Sequence, residues 1–285
     1  MSDLHASAIG ADVPRDFVLV HGPDAVSWLQ GQLSQDIAAL EVGGSAWSFI
    51  LQPQGKVDAL VRVTRTADDA VVLDVDHGWG EAVIARLNRF KLRVKADVSS
   101  LDWRCVAVRG VAELPPGPDE LVVVPAWLPG LDLIGCEVAH PEGIEMVDPG
   151  RFELLRIKAG FPKMGAELDA STIPGETGLV AHSVSFTKGC FTGQELVARI
   201  DSRGGNVPRH LRSLALTGEG TLPPVGAEVI VDGAVVGAVT SAAGQGLESM
   251  ALAYIKRAVV PPVPCQVVWA GSQRSATVLG EAQAP

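Results

Sequence analysis

Apolar residues recur along this chain with two different periods, and the period separates strands from helices. Phe17 to Val20 is a short apolar run, followed by Gly22, Pro23 and Asp24 as a turn and helix-start signal. Ala25, Leu29, Leu33 and Ile37 then fall on one helical face, which predicts a helix ending near Leu40, before Gly43 and Gly44. Ser45 to Leu51 reads as a strand and Pro53-Gln54-Gly55 as a turn. Lys56 to Thr66 alternates, with Val57, Ala59, Val61 and Val63 on one side, so these two runs predict a hairpin. Ala70 to Val75 is a further strand. Val83, Leu87 and Phe90 mark a helix over Trp79 to Phe90, and Val94 to Val98 and Cys105 to Val108 predict two more strands. Val111 to Glu120, rich in prolines and acids, reads as an exposed loop, and Leu121 to Ala126 as a short apolar run. Arg151 to Ala159 reads as a helix stopped by Gly160 and Pro162.

After Pro208 the pattern changes. Apolar runs at Leu214 to Leu216, Ala227 to Val231, Val235 to Thr240, Met250 to Ile255 and Cys265 to Trp269 are cut by Gly and Pro. That is the pattern of a small antiparallel barrel or sandwich. The division expected from pattern is an α+β region over residues 1–208 and a small antiparallel barrel or sandwich over residues 209–285.

Charge narrows the partners. The 285 residues carry 23 basic and 33 acidic side chains, a net charge of −10, so most of the surface repels phosphates and anionic lipid. A local basic patch remains able to bind an anion, but no stable nucleic-acid complex is expected. Met1 to Asp16 holds acids and no long apolar run, and no stretch approaches the ~18 apolar residues of a membrane helix, so a soluble cytoplasmic protein is expected. The four cysteines, Cys105, Cys136, Cys190 and Cys265, are 31, 54 and 75 residues apart, and the six histidines are scattered, so no metal site is predicted.

The densest chemical signal is Lys188-Gly189-Cys190-Phe191-Thr192-Gly193-Gln194-Glu195. Flanking glycines let backbone approach a ligand closely. Thr192 and Glu195 have capping-box spacing ahead of Leu196, Val197 and Ile200, which predicts a helix starting near Thr192. Its positive end and the Lys188 cation would both favour thiolate over thiol at Cys190. Taken alone, these residues also suit a small buried cysteine beside a capped helix. Cys105, Cys136 and Cys265 stand in apolar stretches and are expected to be sluggish. Arg199, Arg203, Arg209, His210 and Arg212 form a basic stretch, either a solvated face or a landing site for carboxylates.

The string from Lys188 to Glu195, continued by Leu196 to Asp201 and Arg203 to Arg209, resembles the signature of the YgfZ-type folate-binding proteins, relatives of the glycine-cleavage aminomethyltransferase (T-protein). Further blocks agree: Arg156 to Pro162, Glu167 to Asp169, Ile173 to Leu179, Gly22 to Ala25, Leu29 to Leu33 with Asp36, and Pro53 to Lys56. The resemblance implies an aminomethyltransferase-like ring of three units ending in an antiparallel β-barrel, with tetrahydrofolate in the central hole. It implies an accessory protein for iron–sulfur cluster assembly or repair, including the clusters of radical enzymes that modify tRNA. Its partners would be iron–sulfur client enzymes or assembly proteins. Carried over by motif, Cys190, Lys188 and Asp36 take the chemical roles. Asp36, Gly189, Gly193, Gln194, Glu195, Arg199 and Arg203 take the cofactor. The G-Y-T-G-E loop of the aminomethyltransferases is absent from this sequence. The alternative is a folate-dependent one-carbon transferase or demethylase with Asp36 as acid or base. A module that binds folate only as a signal is a third reading.

Overall fold

The structure is a computed structural model that describes residues 8–124, 127–245 and 248–280. The N-terminal half runs β1 (Ile9–Asp12), β2 (Arg15–His21), α1 (Ala25–Gln32), β3 (Ser45–Leu51), β4 (Val57–Ala67), β5 (Ala70–Asp76), α2 (Gly80–Arg89), β6 (Asp97–Leu101), β7 (Arg104–Arg109), β8 (Glu120–Val123), β9 (Gly130–Gly135) and β10 (Glu145–Met146). A helical stretch follows: α3 (Pro149–Lys158), one tight turn at Pro174–Glu176, α4 (Val180–Ser183) and α5 (Gln194–Ser202). The chain ends in β11 (Arg209–Leu216), β12 (Glu228–Val231), β13 (Ala234–Gln245), β14 (Glu248–Lys256), β15 (Val263–Trp269) and β16 (Ser272–Val278). These form a five-stranded sheet in the order β3-β4-β5-β2-β6, a second in the order β10-β1-β7-β9-β8, and a closed barrel β11-β14-β13-β12-β15-β16.

The β3–β4 hairpin forms as its alternation requires, with Ser45 opposite Thr64 and Val57, Ala59, Val61 and Val63 all buried. The two sheets meet through Phe17, Val72, Cys105, Val123 and Ile134. Charged residues pin the same junction. Arg62 of β4, fully buried, bonds Asp74 of β5 at 2.9 Å and reaches across to Asp132 of β9, which also accepts from Arg109 at 2.7 Å. Arg15 closes the network on Asp74 and Asp76. Burial opposes the Asp132 charge, but Arg109 and Arg62 outweigh it and hold the carboxyl at about 2.

The barrel is buried on both sides of β14. Ala251, Ala253 and Ile255 face its interior with Leu214, Val229 and Val267. Met250, Leu252 and Tyr254 face outward onto Leu154 and Ile157 of α3. This two-sided burial explains the unbroken apolar run Met250 to Ile255. Polar bonds lock the same seam: Arg156 to Glu167 and Ser241, Tyr254 Oη to the Glu167 carbonyl, and Arg209 forked onto Glu176.

Several expectations change. The first helix stops at Gln32 rather than near Leu40, because the chain turns there to lay Leu33 against Ile50 and Ser34 against Phe49. Ile37 is still fully buried, but from a loop. The strand expected over Val94 to Val98 is displaced to Asp97–Leu101. Strands β1, β9, β10 and β16 were not legible from periodicity. The end of the run expected over Leu121 to Ala126 lies outside the described residues.

Candidate functional site

The Lys188–Glu195 segment is tied at both ends to the C-terminal end of α1, where helix carbonyls lack intrahelical partners. Lys188 Nζ donates to the carbonyls of Gln30, Leu33 and Gln35 at 2.6, 2.7 and 2.8 Å. Two residues past the cysteine, the Thr192 N–H donates to the Gly31 carbonyl at 3.0 Å. A cation at a helix C-terminus also meets the negative end of its dipole. Lys188 is therefore a cap for α1, and its ammonium is committed to carbonyls rather than to the thiol as the sequence suggested. Burial pulls it down to about 8, against the opposing charge of nearby Asp36.

Helix α5 begins at Gln194, two residues later than expected, and its N-cap is Gly193 with no side-chain cap. The Thr192–Glu195 capping box is not formed. Thr192 is held by Gly31, and Gln194 Oε1 instead accepts from the Phe191 N–H at 3.1 Å. Gly193 has φ +80°, and a Cβ there would lie 2.4 Å from the Gln52 carbonyl oxygen. Gly55, φ +82°, would strike Leu196 at 2.5 Å. The Pro53–Lys56 turn and the start of α5 thus interlock through two glycines in contact. Between its two anchors Cys190 is exposed, in a cleft of about 290 Å³ lined by Ser185, Phe186, Lys188, Gly189, Phe191 and Gln194.

The structure brings Asp36, Lys188, Gly189, Cys190, Gly193 and Gln194 to one place, against α1 and the Pro53–Lys56 turn. Asp36 lies in the loop after α1, where its carboxylate accepts from Gln30 Nε2 and from the Ala39 N–H, a turn-capping role. Glu195, Arg199 and Arg203 lie exposed along α5 and just beyond it. Arg209 is paired with Glu176. Among the other cysteines, Cys105 and Cys265 are buried, and burial pushes the Cys105 thiol up to about 12 and the Cys265 thiol upward. Cys136, placed by the sequence in an apolar stretch like the other two, is exposed: it lies just past β9, outside the apolar run that precedes it.

A larger cleft, about 370 Å³, was not singled out by the sequence. It is lined by Ile50, Asp58, Trp79, Val83, Arg86 and Arg89 among others. Arg86 is held by Asp58 at 2.9 Å, the Leu51 carbonyl at 2.9 Å and Gln32 Oε1 at 3.3 Å. Gln32 adjoins Gly31, so the two clefts flank one seam formed by the end of α1 and the end of β3. The available signal was chemical: Asp58 follows the Pro53–Lys56 turn, and Arg86, Arg89, Lys91, Arg93 and Lys95 run without an intervening acid.

No family model matches the chain. A tRNA-modifying protein YgfZ from Serratia proteamaculans is 30% identical over 217 residues, 66% of this chain and 65% of that protein. A mitochondrial iron–sulfur cluster assembly factor IBA57 homolog from Mycosarcoma maydis is 30% identical over 237 residues, 75% of this chain and 59% of that one. In each case the match spans less than two thirds of the relative's own length. Among solved structures, the glycine cleavage system aminomethyltransferase T from Bartonella henselae superposes with a TM-score of 0.80 at 21% identity, covering 97% of this chain and 86% of that one. These matches agree with the resemblance read from the motifs: the chain is similar in sequence to the YgfZ and IBA57 proteins and has the aminomethyltransferase fold.

Proposed function

We propose that this protein is a tetrahydrofolate-binding accessory factor for iron–sulfur cluster assembly or repair, with Cys190 as its working thiol. The observation that carries the reading is the placement of Cys190: exposed, in a cleft, on a loop fixed at both ends to α1. The names of the relatives support the pathway. Among the described residues no three or more His, Cys, Asp or Glu side chains converge on a metal position. A cluster in transit would therefore take one thiolate from Cys190 and its remaining ligands from the client or assembly protein. Lys188 and Asp36 set the loop, Gly189 and Gln194 shape its cleft, and the exposed Glu195, Arg199 and Arg203 are placed to meet the protein partner.

The Arg86 cleft suits the folate. Trp79, Ile50 and Val83 offer flat and apolar surface for a ring, Asp58 offers an acceptor, and Arg86 a fixed cation. When bound, tetrahydrofolate supplies a carrier for one-carbon units. The alternative, a one-carbon transferase or demethylase, draws on Asp58, a carboxylate inside this cleft, with Asp36 outside it on the α1 seam.

Complementation tests the proposal. A strain lacking this protein is given wild type, Cys190→Ser or Arg86→Gln, and a cluster-dependent tRNA modification is measured. Both variants should fail to restore it while accumulating normally. If Cys190→Ser restores modification fully, the thiol role is wrong. Turnover of a one-carbon donor by purified protein with reduced folate would favour the transferase.

A further inference from the structure

The basic run at the end of α2 is unusual in so acidic a chain. Arg86, Arg89, Lys91, Arg93 and Lys95 follow one another with no acid between Glu81 and Asp97, in a protein of net charge −10. Two are locally neutralised: Arg86 by Asp58 at 2.9 Å, and Lys91, weakly, by Asp97 at 3.8 Å. Among the described residues Arg89, Arg93 and Lys95 form no ion pair, and all three are exposed. The Lys95 backbone is fixed by the Asp24 carboxylate, which takes its N–H at 2.8 Å, so the run is anchored at both ends. Arg86 and Arg89 line the larger cleft, and the other three cations lead away from it along the chain.

A ligand that met all of these groups would put a head into the cleft and carry a string of anions outward. We infer that this run reads the oligo-γ-glutamyl tail of a reduced folate, so that the preferred ligand is a polyglutamate rather than the monoglutamate. The inference rests on the folate reading above and adds the tail to it. Carboxylates spaced along a flexible chain suit separate exposed cations. A nucleic-acid backbone carries its charges far beyond the patch and would meet repulsion from the rest of a surface of net charge −10, whereas a tail of a few carboxylates need span only the patch.

The test is equilibrium binding, read by Trp fluorescence or calorimetry, of tetrahydrofolate with one and with five glutamates. The proteins are wild type and the combined variant Lys91→Gln, Arg93→Gln, Lys95→Gln, with bulk tRNA as a further probe. Wild type should bind the pentaglutamate roughly tenfold more tightly at low salt, an advantage that shrinks as salt is raised. The variant should keep its monoglutamate affinity and lose the advantage. Equal affinity for the two folates in wild type overturns the tail reading alone. Absence of binding by either folate overturns the folate proposal with it. Retention of tRNA by wild type that the variant abolishes, with no difference between the folates, would assign the run to nucleic acid and also overturn the inference.

Discussion

At the scale of single residues, the Lys188–Glu195 motif divides into positions the protein itself needs and positions it leaves free. Lys188 and Thr192 close off carbonyls of α1, and Gly193 allows a backbone approach that no side chain could. Gly189 differs: a Cβ there meets nothing within 4 Å, and its φ lies outside the left-handed range. A methyl group separates the two cases. Gly193→Ala must accept a left-handed φ and a contact of 2.4 Å with the Gln52 carbonyl. It should cost about 1–3 kcal/mol and lower the thermal midpoint by several degrees. Gly189→Ala should stay within about 0.5 kcal/mol of wild type. If Gly189→Ala nevertheless impairs complementation, that glycine serves whatever enters the cleft. Thermal melts of both variants, with complementation of the second, decide this. Equal destabilisation would mean that the interlocked glycines at 55 and 193 are not the anchor described.

At the scale of elements, the polar pins between the sheets make folding sensitive to acid. Asp132 titrates near 2 when folded against 3.8 when free. Its folded value is depressed, so its contribution is complete above about pH 4 and is lost as pH falls toward 2. A shift of that size is worth roughly 2 kcal/mol. Urea midpoints measured from pH 5 to pH 2 should fall steeply for wild type and less steeply for Asp132→Asn. That variant should already be weaker at pH 5 by about 3–5 kcal/mol, since Arg62 and Arg109 would lose their shared anion. Parallel pH profiles would show that the network does not carry the acid sensitivity. The same residue shows where the sequence stops being readable. The β3–β4 hairpin, α2 and α3 follow from local period. Strand β9 reads Gly-Leu-Asp-Leu-Ile-Gly, and its buried Asp132 resembles a surface residue until Arg62, 70 positions away, is seen beside it. Strand β16 is masked in the same way by Arg274, buried against Ser249 and the loop after β11. For α1 the helical period ran on past the true end, because Leu33 and Ile37 keep a core position after the backbone has left the helix. The Cys190 loop was legible because its chemistry is local. The Arg86 cleft was not, because Asp58, Trp79 and Arg86 meet only once β4 and α2 pack together.

At the scale of the whole molecule, the barrel is a structural partner of the α+β region and not an appendage. It covers Leu154 and Ile157 of α3 with Leu211, Met250, Leu252 and Tyr254. It also supplies the Ser241 hydroxyl and the Arg209 guanidinium that bond the carboxylates of Glu167 and Glu176, residues only 2% exposed, and the Tyr254 hydroxyl that donates to the Glu167 backbone carbonyl. Removing it would uncover apolar side chains worth about 1.5–3 kcal/mol each when buried, and would take the cation from Glu176. Glu167 would keep Arg156, but neither group would keep its hydroxyl. Glu176 follows the Ile173–Gly175 stretch, which with Val197 and Ile200 of α5 lines a cleft of about 150 Å³, so the disturbance would reach the helix that begins beside Cys190. A fragment of residues 1–208 should therefore aggregate or bind an apolar dye, although both clefts lie within its sequence. Size-exclusion chromatography and dye binding, set against the intact chain, give the answer. A monodisperse 1–208 fragment that binds reduced folate as tightly as the full chain would show that the α3–β14 contact is dispensable. The two regions would then be independent folding units.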